Sequence, residues 1–363
     1  MRKAALVALV ALGVGAVVLA ELAPTLARRK LVAAVNGNCD GCQFDIDRLR
    51  LYLTTGEVVA EGIRFQGNPN DFVEVSFTIA SLTGHIAWRP LLQGTWQIAD
   101  MAAVEPAFQI IEKDPKPPSP PSSPAFPLNV PPMTVTTVSV SDGRFTYIHR
   151  QHGKDAPIRI THVNGAARNF SSRQGLGSSQ TTFEITSQLE RSGADTITAN
   201  FDLFAVPNDD HLTVDLQHQP LAEMDPYFFN SDGVRLDGHL ERATATMRIR
   251  NGVLSGDLAA RYHDLAVHFA KTAERSAIGA FFSEAAERMA LRSEQPPPDT
   301  AAPAAAAFRV VRTRGDSIIN FLLSGLKPAA HDILTGRTPH PEDVHREQAK
   351  KRASKPAKKP AKK

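Results

Sequence analysis

The chain has 363 residues, of which 42% are hydrophobic and 22% charged, proportions that allow a buried core and exclude wholesale disorder. Its formal charge of +3 is unevenly divided: residues 346–363 hold nine Lys and Arg against Glu347, about +8, leaving about −5 for everything before them. The body therefore lacks the basic surface with interleaved aromatics that a nucleic-acid partner needs, and none is expected.

At the start, Arg2 and Lys3 precede an uncharged run over residues 4–20, about 25 Å long as a helix, and Arg28, Arg29 and Lys30 follow it. Residues 1–30 are read as a signal anchor, a single transmembrane helix. The competing reading is a cleaved signal peptide, since Val18 and Ala20 have the small side chains at the spacing that a signal peptidase recognises. Both readings export the remainder. Cys39 and Cys42 are the only cysteines, and in an oxidising space they are the candidates for one local disulfide. Phe44, Ile46, Leu49, Leu51 and Leu53 follow in strand rhythm, without the helix start that an activated thiolate requires.

Residues 31–114 form an N-terminal β region in which apolar and polar residues alternate with period two, interrupted by turn signals at 54–57 and 67–70. Residues 86–93 read as a short helical or looped crossover, and 101–111 as one strand. The segment 115–132 contains nine prolines and is expected to be a linker or an insertion. A main antiparallel β region covers 133–271, with strands expected at 133–140, 143–150, 158–168, 181–190, 195–204 and 212–217. A short helical stretch follows at 221–229, and then four more strands. Asp142-Gly143 and Asn251-Gly252 are the hairpin signals. Over 272–334 the period changes: 272–292 reads as an amphipathic helix, 293–307 as a mobile Pro- and Ala-rich loop, 309–313 as a last strand. Ile318, Ile319, Leu322, Leu323 and Leu326 suggest a second amphipathic helix. Residues 335–363 are read as a disordered, Lys-rich tail, either touching anionic head groups or without a role.

Chemistry is sparse. There is no G-x-S-x-G elbow, no P-loop and no strand-to-helix G-x-G-x-x-G, so no enzymatic activity is expected and no cofactor is implied. Of the twelve histidines, the most suggestive pair is His263 and His268 beside Asp264; an odd spacing on a strand points the two imidazoles to opposite faces unless a bulge intervenes. No metal site is expected. Asp209 and Asp210 before His211 read as a solvated turn.

Three stretches carry a resemblance. The anchor leads into residues 49–82 (LRLYLTTGEVVAEGIRFQGNPNDFVEVSFTIASL), then come 88–110 (WRPLLQGTWQIADMAAVEPAFQI) and 220–267 (PLAEMDPYFFNSDGVRLDGHLERATATMRIRNGVLSGDLAARYHDLAV). From the anchor to about residue 334 the arrangement resembles the AsmA-like family of bacterial envelope proteins, and more closely its DUF748-type members. The resemblance implies a mainly β fold: an elongated, curled antiparallel sheet, a repeating β-groove or half-barrel, with an N-terminal transmembrane helix and one or two C-terminal amphipathic helices. It also implies an inner-membrane protein with a single anchor and its bulk in the periplasm, touching phospholipid or another acyl-chain lipid. The chain is short for the family, which argues against its bridging two membranes alone. On such a sheet Phe65, Val75, Phe77, Ile98, Phe108, Phe183, Phe201, Met247 and Leu258 are the candidates for a lipid-facing lining. Singly, each of them fits equally well in the core of a closed sandwich or barrel. The expected function is non-catalytic binding or transfer of lipid in envelope biogenesis; the alternative is a periplasmic scaffold or assembly factor for outer-membrane proteins, holding a protein partner through its edge strands.

Overall fold

The computed structural model describes residues 24–37, 41–113, 133–171, 180–202, 209–269, 303–312 and 318–335, apart from positions 53, 71 and 152. The expected membrane-spanning run 4–20, the segment 115–132, the helix 272–292 and the tail lie outside these. Among the described residues no helix is long and apolar enough to cross a membrane. Helix α1 covers residues 24–37, so the cationic stretch 28–30 sits within a helix that runs on past it.

The molecule is mainly β, with thirteen strands in one large curled sheet. They are β1 (Gln43–Tyr52), β2 (Glu57–Asn70), β3 (Val73–Ile86), β4 (Trp96–Val104), β5 (Ala107–Lys113), β6 (Met133–Gln151), β7 (Lys154–Ser171), β8 (Gln180–Leu189), β9 (Gly193–Asp202), β10 (Asp209–Pro220), β11 (Val234–Arg250), β12 (Val253–Phe269) and β13 (Ala304–Val311). Helix α2 (Trp88–Leu92) precedes β4; a 3-10 turn (Leu221–Met224) and α3 (Asp225–Asp232) precede β11; α4 (Ile318–Thr335) follows β13. Neighbours in sequence pair antiparallel, except that β4 and β5 do not pair with each other and β6 runs parallel to both. A parallel pair needs a return crossover, and the chain between Lys113 and Met133 lies outside the described residues. Both of its flanks belong to the same sheet.

Several expectations change. The strand expected at 101–111 is broken at Glu105 and Pro106, yet β4 and β5 remain collinear, each lying between β3 and β6. Pro106 has no N–H for the ladder, and Glu105 takes φ 49°. Asp142-Gly143 makes no hairpin. β6 passes straight through it, because the left-handed Asp142 (φ 49°) is absorbed as a bulge against β7. Asn251 (φ 52°) and Gly252 (φ 71°) do form a two-residue hairpin turn, with Arg250 paired to Val253. The alanines at 304–307, read as mobile loop, open β13 and pair with β12.

These left-handed residues share a purpose. Gly62, Glu105, Asp142 and His162 all have positive φ, and the register places them at one level across β2 to β7. A break in the pleat shifts the alternation by one. Ile46 and Leu49, Ile63 and Ala60, and Ile79 and Leu82 are each three apart, which in a regular strand sends them to opposite faces, yet they pack into one cluster.

The curl is visible through α3. Tyr227 and Phe228 pack against Tyr147, Ala156 and Ile158 of β6 and β7, while Phe228 also packs against Val234 and Leu236 of β11. β7 and β11 are four strand spacings apart, about 19 Å on a flat sheet, and a two-turn helix is about 12 Å long. The sheet must bend towards α3 for one short helix to reach both. Asn230 donates to the Asp155 carbonyl at 2.7 Å and the Leu236 N–H donates to Asp225 at 3.1 Å, fixing the helix to both sides.

Candidate functional site

The register carries a pattern that no single strand reveals. Leu49 pairs with Ala60, Ala60 with Leu82, Leu82 with Ala103, Ala103 with Val140 and Val140 with Gly165. The same rung continues through Ile185, Ile197, Val214, Ala245, Leu258 and Ala306. Two residues along each strand a second rung runs in parallel: Leu51, Val58, Gly84, Met101, Val138 and Ala167, then Phe183, Ala199, Leu212, Met247, Gly256 and Phe308. Residues i and i+2 share a face. Twelve strands thus present two apolar rungs with no polar side chain in either, over an arc of about 50 Å at the usual strand spacing.

At the N-terminal end the wall broadens into an aromatic ladder. Phe44, Phe65, Phe77, Phe108 and Phe145 are direct cross-strand partners on β1, β2, β3, β5 and β6. Ring centroids from Phe65 to Phe145 are 5.0, 6.4 and 5.8 Å apart, with interplanar angles of 12–14°. Phe108 keeps 37% of its surface exposed, and the other four rings are half-buried. Gly67, Val75, Ile110, Tyr147 and Ile158 make the next rung.

The opposite face is mainly polar. Between the two apolar rungs eight of twelve strands carry a polar residue, Arg50, Thr83, Ser139, Glu184, Thr198, Thr213, Thr246 and Asp257, and four carry Val59, Ala102, Ala166 and Ala307. Ion pairs knit this face together: Arg64 with Asp45 (3.1 Å) and Asp47, Arg48 with Glu61 (3.2 Å), Arg242 with Asp215 (2.7 Å), and Arg248 with Asp209. The Arg64 hydrogen bond holds Asp47 below the usual carboxylate range, and Arg248 does the same for Asp209. Asp209 is therefore tied to its neighbour strand rather than lying in a free turn. Carboxylates do intrude on the apolar side, among them Asp195, two residues from Ile197, which is 7% exposed and whose carboxyl burial pushes up to about 6. At the foot of the ladder the Tyr147 hydroxyl donates to the buried Glu112 carboxylate at 2.8 Å. Burial, reinforced by that charge, drives the phenol far above its ordinary range.

Of the nine residues expected to form a lining, seven fall on these rungs and one on a further rung. Phe65, Phe77 and Phe108 are in the ladder, Val75 is beside it, Phe183 and Met247 are in the second rung, and Leu258 is in the first. Ile98 lies between Ile86 and Val135 on a further apolar rung. Phe201 is placed by its backbone opposite Thr181, at the end of β9. Sequence reasoning missed Phe44 and Phe145, whose signal was their matched distance from the turns, and the alanines and glycines of the rungs, which have none. Cys42 is disulfide-bonded, and Cys39 lies outside the described residues. β12 does bulge between His263 and His268, at left-handed Asp264, yet the two imidazoles engage different carboxylates, Asp264 at 2.7 Å and Asp237 at 2.9 Å. Among the described residues no three metal-ligating side chains converge.

The wall is covered at its two ends. Val32 of α1 packs on the β1–β3 cluster, and Asn36 clamps Phe44 by accepting from its N–H (2.7 Å) and donating to its carbonyl (3.1 Å). At the other end Phe321, Gly325, Ala329 and Ile333 of α4, spaced by four, form the buried stripe over β12 and β13. Between α4, β11, β12 and the turn before α3 is a cavity of about 700 Å³. Comparison of the chain with protein-family models and with curated proteins finds no match.

Proposed function

We propose that this chain is a non-catalytic, membrane-anchored periplasmic protein of the AsmA-like, DUF748-type kind, and that its apolar wall holds lipid acyl chains, binding phospholipid or helping to transfer it. The observation that supports this reading is the pair of rungs that stays apolar through twelve strands. A core needs apolar residues at the centre of a sheet, but it does not need them to continue from one edge to the other, with Leu49, Leu82, Val140, Ile185, Ile197, Val214 and Leu258 still only half-buried. An acyl chain laid across the strands gains about 0.8 kcal/mol for each methylene removed from water, and it needs no directed bond. Curvature around the wall narrows the space that a chain must fill. The polar, ion-paired back keeps the sheet soluble on its other side.

The assembly-factor reading has one observation in its favour. Among the described residues the strand order runs from β1 to β13 without closing, leaving two edge strands that a protein partner could extend. Mass spectrometry of organic extracts from the purified chain separates the two readings. Phospholipid at a defined ratio to protein is expected; an extract matching that of an unrelated exported protein overturns the lipid reading.

A further inference from the structure

Across the sheet at its C-terminal end, Ala243, Ala260 and Ala304 are consecutive cross-strand partners on β11, β12 and β13. On one side of this rung of methyl groups lies the Leu258 rung, and on the other the pair Leu240–Tyr262. Three small residues between rows of large ones leave a hollow in the floor. Helix α4 roofs it: Gly325 brings one end of the helix close to Leu254 and Phe308, while Pro328, Ile333 and Leu334 stand over the hollow itself. The resulting cavity of about 700 Å³ has the volume of a small-molecule site.

Such a space is unsuited to water, which needs two to four polar partners. Ser324, Lys327 and Asp332 of α4 and the Tyr262 hydroxyl of β12 are the polar groups of the lining. The Ser324 hydroxyl already donates to the Phe321 carbonyl at 2.7 Å. The space opens to solvent beside Lys327 and Pro328, both of them exposed, which leaves an entry for a ligand. An apolar interior with few polar groups suits an amphiphile.

Resting on the lipid reading above, we infer that this cavity is a discrete seat for a single long acyl chain, inserted between the Ala243–Ala260 floor and α4 with its polar end towards Lys327. The seat gives the wall a terminus and the protein a stoichiometry. A free fatty acid and one chain of a phospholipid share this chemistry.

The test is titration of the full chain with the fluorescent fatty acid cis-parinaric acid, followed by displacement with palmitate in one arm and with phosphatidylglycerol in the other. One probe per chain is expected. Ala330→Trp, which fills the cavity from the helix, and Ala243→Phe, which fills it from the floor, should each weaken binding about tenfold or more, with circular dichroism reporting the parent fold. Leu258→Ala enlarges the hollow and should move the optimum to longer chains. Displacement by palmitate alone assigns the seat to free fatty acids, and displacement by both assigns it to either source. Folded Ala330→Trp and Ala243→Phe variants that bind within twofold of the parent overturn the seat. If extracts still contain phospholipid in that case, only this inference falls; if they contain none and the probe does not bind, the lipid reading falls with it.

Discussion

Asp195 sits on the apolar side of β9, directly across from Ser187 on β8. Burial raises its carboxyl from an ordinary 3.8 to about 6, with the Ser187 hydroxyl opposing the rise. The folded chain thus holds this proton more tightly than the unfolded chain does. The stability this contributes is complete below the unfolded value and is lost as pH rises through the folded one. Asp195→Asn removes the titration while keeping the shape. Urea unfolding at about pH 8 should show the variant roughly 2–3 kcal/mol more stable than the parent, with most of that advantage gone by about pH 4. An advantage independent of pH would assign the titration to another group. The carboxylate was legible as a residue; its burial was not, because Asp195 stands beside Thr and Ala in sequence and meets Ser187 and Leu216 only through pairing.

Among the elements, α4 shows how a contact surface escapes a pattern search. Large apolar residues at 318, 319, 322, 323 and 326 marked a helix, and a helix forms. The stripe it buries is instead Phe321, Gly325, Ala329 and Ile333, half of it small. Small residues let the helix axis approach the strands. A Cβ on Gly325 would meet Leu254 at 2.7 Å and Phe308 at 2.9 Å, both of them buried. Gly325→Val should therefore cost about 1–3 kcal/mol in urea unfolding, even though valine suits a helix better than glycine does. Lys327→Ala, on the exposed side of the same turn, should cost almost nothing. Equal effects would place α4 elsewhere than on this face. The bulges teach a similar lesson. Asp142-Gly143 and Asn251-Gly252 are near-identical dipeptides with the same left-handed preference; one is taken up inside a strand and the other turns a hairpin. The outcome depends on how far the flanking strands extend.

For the molecule as a whole, the continuity of the wall makes it sensitive to a charge placed midway. Ile185 and Ile197 are half-buried partners at the centre of the first rung. Replacing both by Lys interrupts the path with two charges and removes no buried core residue. Co-purifying phospholipid, measured against protein, should fall several-fold, while the thermal midpoint should change little, because half-exposed positions contribute little stability. Unchanged lipid content would mean that the chains lie elsewhere, at the C-terminal cavity or not on the wall at all. The same pair on the polar back, Thr186→Lys with Thr196→Lys, serves as the control.

By itself the sequence determined the strand content, most strand centres and the Asn251-Gly252 hairpin. All of these follow from local alternation and from breakers such as Pro and Gly, whose effects act within a few residues. Only the tertiary structure decided which alternating sets meet: β6 joining β4 in parallel, left-handed residues aligned into one line of bulges, and twelve separate strands registering into two unbroken rungs. Pairing joins residues as far apart in sequence as Ala103 and Val140 or Leu258 and Ala306. Period-two alternation looks the same in every strand and cannot specify which strand is the neighbour or by how many residues it is offset. Hydrogen bonding and the curl of the sheet fix that offset once the chain is compact.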